Sequence, residues 1–156
     1  MKYKGTLIAV KNMNKSKQFY NDVLGLGVLD DFGSNVILDG GVFLQTVDSW
    51  QGFIGDKNII LSNNASELYF EEAHMDIFLK HLKNLDITYV HPPIEHSWGQ
   101  RVVRFYDLDC HIIEVGEDIC MVVKRFADSG MTVEQVAKRM DVSVTYVEKC
   151  LKKGEK

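Results

Sequence analysis

The chain of 156 residues has room for one domain with a small appendage. Hydrophobic residues make up 46% of it and charged residues 26%, a balance that excludes a disordered polypeptide. The net charge of −4 argues against a general nucleic-acid binder, although residues 118–156 alone carry a net +2 against −6 for residues 1–117.

The opening MKYKGTLIAV has no long apolar core or cleavage site of the secretory kind, and no later apolar run approaches the roughly 18 residues that span a bilayer. Cys110, Cys120 and Cys150 are odd in number, widely spaced and without a CxxC pair. Reduced thiols, a cytoplasmic location and no zinc site are the expectations.

Thr6 to Val10 predicts an apolar strand. Asn14-Lys15-Ser16 predicts a helix start, and Phe19, Tyr20, Val23 and Leu24 recur at helical spacing until Gly25 and Gly27. Short strands are expected at 27–32, 35–38 and 41–47, punctuated by Gly33-Ser34 and Asp39-Gly40-Gly41. Residues from Trp50 to Lys57 read as an irregular insertion without a legible role, and 62–66 as a polar linker. A second round then follows. Glu67 to Glu71 alternates as a strand, Met75, Phe78, Leu79 and Leu82 line one helix face, Ile87 to Val90 forms a strand stopped by Pro92-Pro93, and strands occupy 101–106 and 111–115. Both rounds read β-α-β-β-β. Beyond Glu117 the pattern turns helical, with helices expected at 119–127, 132–140 and 143–152, the last two opened by N-capping residues.

The most informative stretch runs from Trp98 to Glu114. A strand leads into an Asp107/Asp109 turn, and the next strand delivers Glu114 between Ile113 and Val115. A carboxylate inside an apolar strand costs desolvation energy unless it faces a cavity, a cation or a metal.

A doubled β-α-β-β-β unit ending in WGQR, a D-x-D turn and an I-I-E strand resembles the vicinal oxygen chelate superfamily, which includes glyoxalase I, bleomycin-resistance proteins and extradiol dioxygenases. Asn12, Ser16 and Phe19-Tyr20 match the start of that family's first helix. The resemblance implies an α+β fold in which two βαβββ modules, about 3–61 and 66–117, form an open eight-stranded cup over residues 1–117. Residues 118–156 add a helical, helix-turn-helix-like extension. It also implies a divalent metal held by side chains from the first and last strands of each module. Those positions fall on Gly5, Gln45, Glu67 and Glu114, so no histidine remains among them. Two carboxylates and an amide suit Mg²⁺ or Mn²⁺ weakly and Zn²⁺ or Ni²⁺ poorly. Alternation places Arg104 and Tyr106 on the face of Glu67 and Glu114, so the competing reading is an ion cluster with Arg104 neutralising a carboxylate.

His74 and His81 are expected in solvent, His91 in a loop and His111 in a surface turn, whereas His96 lies near Trp98 and is a candidate acid or base. Cys110 stands where the family has Gly, and a left-handed backbone there would be strained, which predicts a turn of different shape. Trp98, Tyr69 and Tyr106 offer ligand-contacting aromatic surface, while Phe43 reads as core. In the tail, Val136-Ala137, the Asp141-Val142-Ser143 turn and Val147 fall at helix-turn-helix spacing, with Asp141 in place of the turn Gly. Exposed Ser143, Thr145, Tyr146, Glu148, Lys149 and Lys152 make either a modest nucleic-acid reader or a packing unit.

These readings combine into one leading expectation: a cytoplasmic, dimeric small-molecule-binding protein with a degraded metal site. Its ligand contacts are Gln45, Arg104, Trp98, Tyr69, Tyr106 and His96. Neither a cofactor, nucleic acid nor a membrane is expected. The alternatives are a metal-dependent glyoxalase-like lyase, with Glu67, Glu114 and Gln45 as ligands and Glu67 or Glu114 moving a proton, and a ligand-responsive DNA-binding regulator.

Overall fold

The computed structural model describes residues 1–153. The expected helical extension therefore ends, for structural purposes, at Lys153, and residues 154–156 of that expectation lie outside the described residues.

The first βαβββ module comprises β1 (Thr6–Val10), α1 (Met13–Leu24), β2 (Val28–Asp31), β3 (Asn35–Leu38) and β4 (Val42–Thr46). Its sheet has the order β1-β4-β3-β2. β1 runs parallel to β4, with Thr6 opposite Val42 and Val10 opposite Thr46, and the other neighbours are antiparallel. α1 begins one residue before the expected start, because the Asn12 side chain accepts the Lys15 N–H and satisfies a donor the helix leaves open. It stops at Gly25, whose φ of +70° lets its N–H turn back onto Asn21 and Tyr20 carbonyls. Ser16, Tyr20 and Val23, four and three residues apart, form its buried face.

The stretch from Trp50 corrects the expectation of an irregular insertion, because α2 (Val47–Phe53) is a short helix and only the chain after it is irregular.

The second module repeats the plan with β5 (Glu67–Glu72), α3 (Met75–Leu82), β6 (Tyr89–Glu95), β7 (Arg101–Tyr106) and β8 (Ile112–Glu117), in a sheet ordered β5-β8-β7-β6. Pro92 and Pro93 do not end β6 as expected but lie within it. β6 is an edge strand whose pairing with β7 shifts register between His91 and Ile94, and an edge or bulge position does not need the amide proton that proline lacks.

The described chain divides into two compact units. One contains Met1–Leu68, Leu85–Thr88 and Tyr106–Ile112, and the other contains Tyr69–Asn84, Tyr89–Phe105 and the chain from Ile113 onward. In the first, Val10, Tyr20, Val36, Leu38 and Leu44 are fully buried, each such large side chain adding about 1.5–3 kcal/mol. Its polar anchor is the Asp107 turn. The Tyr20 hydroxyl donates to Asp107 at 2.9 Å, while Asp107 also accepts the amides of Asp109 and His111. Burial, reinforced by the Asp107 charge, pushes the Tyr20 phenol well above its usual range. Cys110 has a left-handed φ of +66°, a conformation that glycine takes freely and a cysteine only with strain. His111 is not a free surface residue either, because its Nε2–H donates to the Ala9 carbonyl at 2.8 Å.

In the second unit, α4 (Ile119–Asp128), α5 (Val133–Met140) and α6 (Val144–Lys152) surround Val122, Val123, Val136, Ala137, Met140 and Val147. Their caps are Asp118, the Thr132/Gln135 capping box and Ser143. Asp141 occupies the left-handed turn at φ +55°. Helix packing also overturns the expectation of three reduced thiols. Cys120 and Cys150, 30 residues apart, meet as a disulfide with a Cα–Cα separation of 4.7 Å, and Cys110 alone is free. No described helix is long and apolar enough to cross a membrane.

Candidate functional site

Three of the four expected ligand positions are closed to a metal by their own surroundings. Gly5 has φ +150°, and a Cβ there would lie 2.1 Å from the Gly41 carbonyl oxygen and 2.5 Å from the Phe43 ring. The position therefore has no room for a ligand side chain. Gln45, on β4, is 2% exposed and both ends of its amide are used: Oε1 accepts from Asn35 Nδ2 at 2.8 Å and Nε2 donates to Ser49 Oγ. The helix α2, unseen in the sequence, is what brings Ser49 there.

Glu114 is 5% exposed. Its Oε2 accepts no well-directed hydrogen bond and instead sits in an ion pair against Arg104 Nη2, as the alternation along β7 and β8 predicts. A buried carboxylate persists only when its charge is compensated, and here a guanidinium supplies what a metal would. The other guanidinium branch, Arg104 Nη1, lies 3.3 Å from His91 Nε2, while His91 Nδ1–H donates to the Pro92 carbonyl. His91 is thus a strand residue facing Arg104 with its Nε2 lone pair, not a loop residue. Sequence reasoning missed it because the proline pair masked the strand.

Glu67, the fourth position, lines a cavity of about 300 Å³ within the first unit. Leu7 and Ala9 of β1, Trp50 of α2, Ile60 and His111 form much of its wall. No cluster of three or more His, Cys, Asp or Glu among the described residues is placed to hold a metal ion. The residues present at the family's ligand positions do not fit one.

In the second unit the aromatic candidates form a connected row. The His96 and Trp98 rings stack at 4.2 Å and 17°, with Trp98 38% exposed. Trp98 Nε1–H donates to Gln100 Oε1. The Gln100 amide nitrogen donates to the Tyr69 hydroxyl and the Glu117 carbonyl, and Tyr69 donates on to Glu71. Burial raises the Tyr69 phenol above its usual range. Tyr106 is not part of this row: it belongs to the first unit, half-buried, with its amide bonded to the Thr88 carbonyl.

The second buried carboxylate of β8, Glu117, was also missed. Its side chain is 3% exposed and takes a two-pronged contact from Arg101 (Nε 3.0 Å, Nη2 2.8 Å) and another from Arg125. Burial alone would raise this carboxyl, but the hydrogen bonds of Arg101 and then Arg125 hold it below its ordinary value. The available signal was the position of Glu117, three residues past Glu114 at the end of the same apolar run.

Comparison with known proteins agrees with this fold. Residues 3–120 match the glyoxalase-like domain family. A protein of unknown function from Agrobacterium tumefaciens str. C58 is 36% identical, with a TM-score of 0.69 over 76% of this chain and 95% of its own. A glyoxalase/bleomycin resistance protein/dioxygenase from Nocardioides is 15% identical with TM-score 0.62, covering 75% of this chain and 83% of its own. A superfamily member from Sphaerobacter thermophilus DSM 20745 is 21% identical with TM-score 0.59, covering 76% and 98%. Among curated proteins none matches significantly. The family match ends at Cys120, so most of the helical tail lies outside it. On the extent of that match, the chain belongs to the glyoxalase-like domain family.

Proposed function

We propose that this protein binds a small organic molecule without a resident metal, using residues 1–117 as the ligand domain and residues 118–156 as an extension. The observation that carries the reading is the pairing of Glu114 with Arg104. The one family ligand retained by type is already neutralised, while Gly5 has no room for a side chain and Gln45 has no unused amide group. Gln45, Glu67 and Tyr106 are the ligand contacts proposed in the first unit, and Arg104, Glu114, Trp98, Tyr69 and His96 those proposed in the second. Glu67 borders a cavity of a size that suits a compact ligand. The working form in this reading is a homodimer.

A metal-dependent lyase needs three protein donors with an open coordination position, and this donor set does not provide them. A DNA-reading tail draws no support from charge, because the exposed face of α6 mixes Glu148 with Lys149 and Lys152.

Calorimetric titration of the purified protein with Mn²⁺, Ni²⁺ and Zn²⁺ tests the proposal. The expected result is no saturable one-to-one binding, and no difference between the native protein and Glu114→Gln. Tight stoichiometric binding that disappears in Glu114→Gln would replace this reading with the lyase.

A further inference from the structure

Most of the helical tail lies outside the family match, yet its first helix makes polar contacts on the hairpin loop that carries Trp98. Arg125 Nη2 donates to the Gly99 carbonyl, the residue next to Trp98. The same guanidinium bonds Glu117 through Nε and Nη2 and lies 3.7 Å from Glu95, where β6 runs into the loop. Phe126 closes the contact from its other side. Gly99 has φ +93°, and a Cβ there would lie 2.2 Å from the Phe126 ring, so the loop backbone rests directly on that ring. Gly99 is glycine for both reasons, its backbone conformation and the ring beneath it.

The ring is itself clamped. Arg125 lies 5.1 Å above it and Arg139 of α5 5.9 Å from it. The disulfide from Cys120, at the start of α4, to Cys150 of α6 ties α4 to α6. Gln100 completes the circuit, since it holds Trp98 with one end of its amide and Tyr69 and Glu117 with the other. A loop that carried Trp98 without these contacts would be free to move on the nanosecond-to-microsecond scale usual for exposed loops.

We infer that the C-terminal helices position the ligand-contacting loop, with Arg125 and Phe126 as the positioning residues that fix the His96–Trp98 stack. The inference deepens the proposed function and rests on Trp98 being a ligand contact. It gives the tail a task that needs neither nucleic acid nor a partner protein. It also explains why a short three-helix unit turns Arg125 and the Phe126 ring to the loop.

The experiment reads Trp98 directly, in a Trp50→Phe background that leaves one indole. Acrylamide quenching is measured for that protein and for Arg125→Lys and Phe126→Leu. Trp98 is 38% exposed, so full release of the loop raises the quenching constant by up to about 2.5-fold, with a red shift of emission. Arg125→Lys keeps the charge but loses the fork joining Gly99 to Glu117, and the expected result is a clear rise towards that limit. Phe126→Tyr, which keeps the ring, should stay at the parent value. Val147→Ala, which loosens the tail core away from Gly99, should also leave quenching unchanged. Equal quenching in parent, Arg125→Lys and Phe126→Leu, each with intact helical circular dichroism, would overturn the inference, as would a Val147→Ala rise matching theirs. The ligand premise is read separately with 8-anilinonaphthalene-1-sulfonate as a planar probe. Trp98→Ala should weaken its binding, and unchanged affinity would remove Trp98 from the ligand site whatever the quenching shows.

Discussion

Replacing Arg104 by methionine strips the buried Glu114 of its cation while keeping most of the packing volume. Leaving one partner of a fully buried pair uncompensated costs about 3–5 kcal/mol. The Arg104 side chain is 25% exposed and that of Glu114 7%. Water therefore offsets part of the loss, and the lower end, about 3 kcal/mol, applies. At this chain length each kcal/mol lowers the melting temperature by about 2–4 °C, so Arg104→Met should melt about 6–12 °C below the parent. The double variant Arg104→Met/Glu114→Leu removes both charges and should return to within about 1 kcal/mol of the parent, because an apolar pair of similar volume replaces a buried ion pair at little cost. Urea denaturation of the parent, both single variants and the double closes the cycle. A single variant that loses less than about 0.5 kcal/mol, or a double whose loss equals the sum of the singles, would refute the pairing as the reason Glu114 tolerates burial.

Tyr20→Phe removes the hydroxyl donor from buried Asp107 and should cost about 1.5–3 kcal/mol by urea denaturation. The Glu117 carboxyl is held below its ordinary value near 4.5. Its contribution is therefore present above that value and is lost as pH falls through the lower folded one. Stability measured from pH 7 to 3 should fall less steeply for Glu117→Gln than for the parent. Breaking the disulfide by Cys150→Ala opens a 30-residue loop and should cost about 3–4 kcal/mol. Alkylation of the unreduced, denatured protein should mark Cys110 alone. Gly5→His, which restores the histidine of the family pattern, should not create a metal site, because the first side-chain atom meets the Gly41 carbonyl. Soluble expression with Ni²⁺ titration checks it, and a folded, metal-binding variant would count against the closed position.

The doubled βαβββ plan was legible because each element announces itself locally: the helical spacing of Tyr20 and Val23, Gly25 at the helix end, and the alternation through Arg104 and Glu114. That same alternation predicts the Arg104–Glu114 pair, since alternate side chains of neighbouring strands share a side of the sheet. Contacts that depend on tertiary packing were hidden. His91 sits behind two prolines that only an edge position permits. Ser49 reaches Gln45 from a helix with weak periodicity, and the Cys120–Cys150 bond is set by helix packing rather than by spacing. Glu117 was missed because the strand was expected to end at Val115. Arg125 carried no signal in the sequence, because its partners lie on the hairpin loop and at the end of β8.

The most direct test of a metal-free site is elemental analysis of protein purified without chelator from cells grown with added manganese, nickel, iron and zinc. The account predicts well below one equivalent of every metal, in the parent and in Glu114→Gln alike. One equivalent of a single metal in the parent, lost in Glu114→Gln, would contradict it.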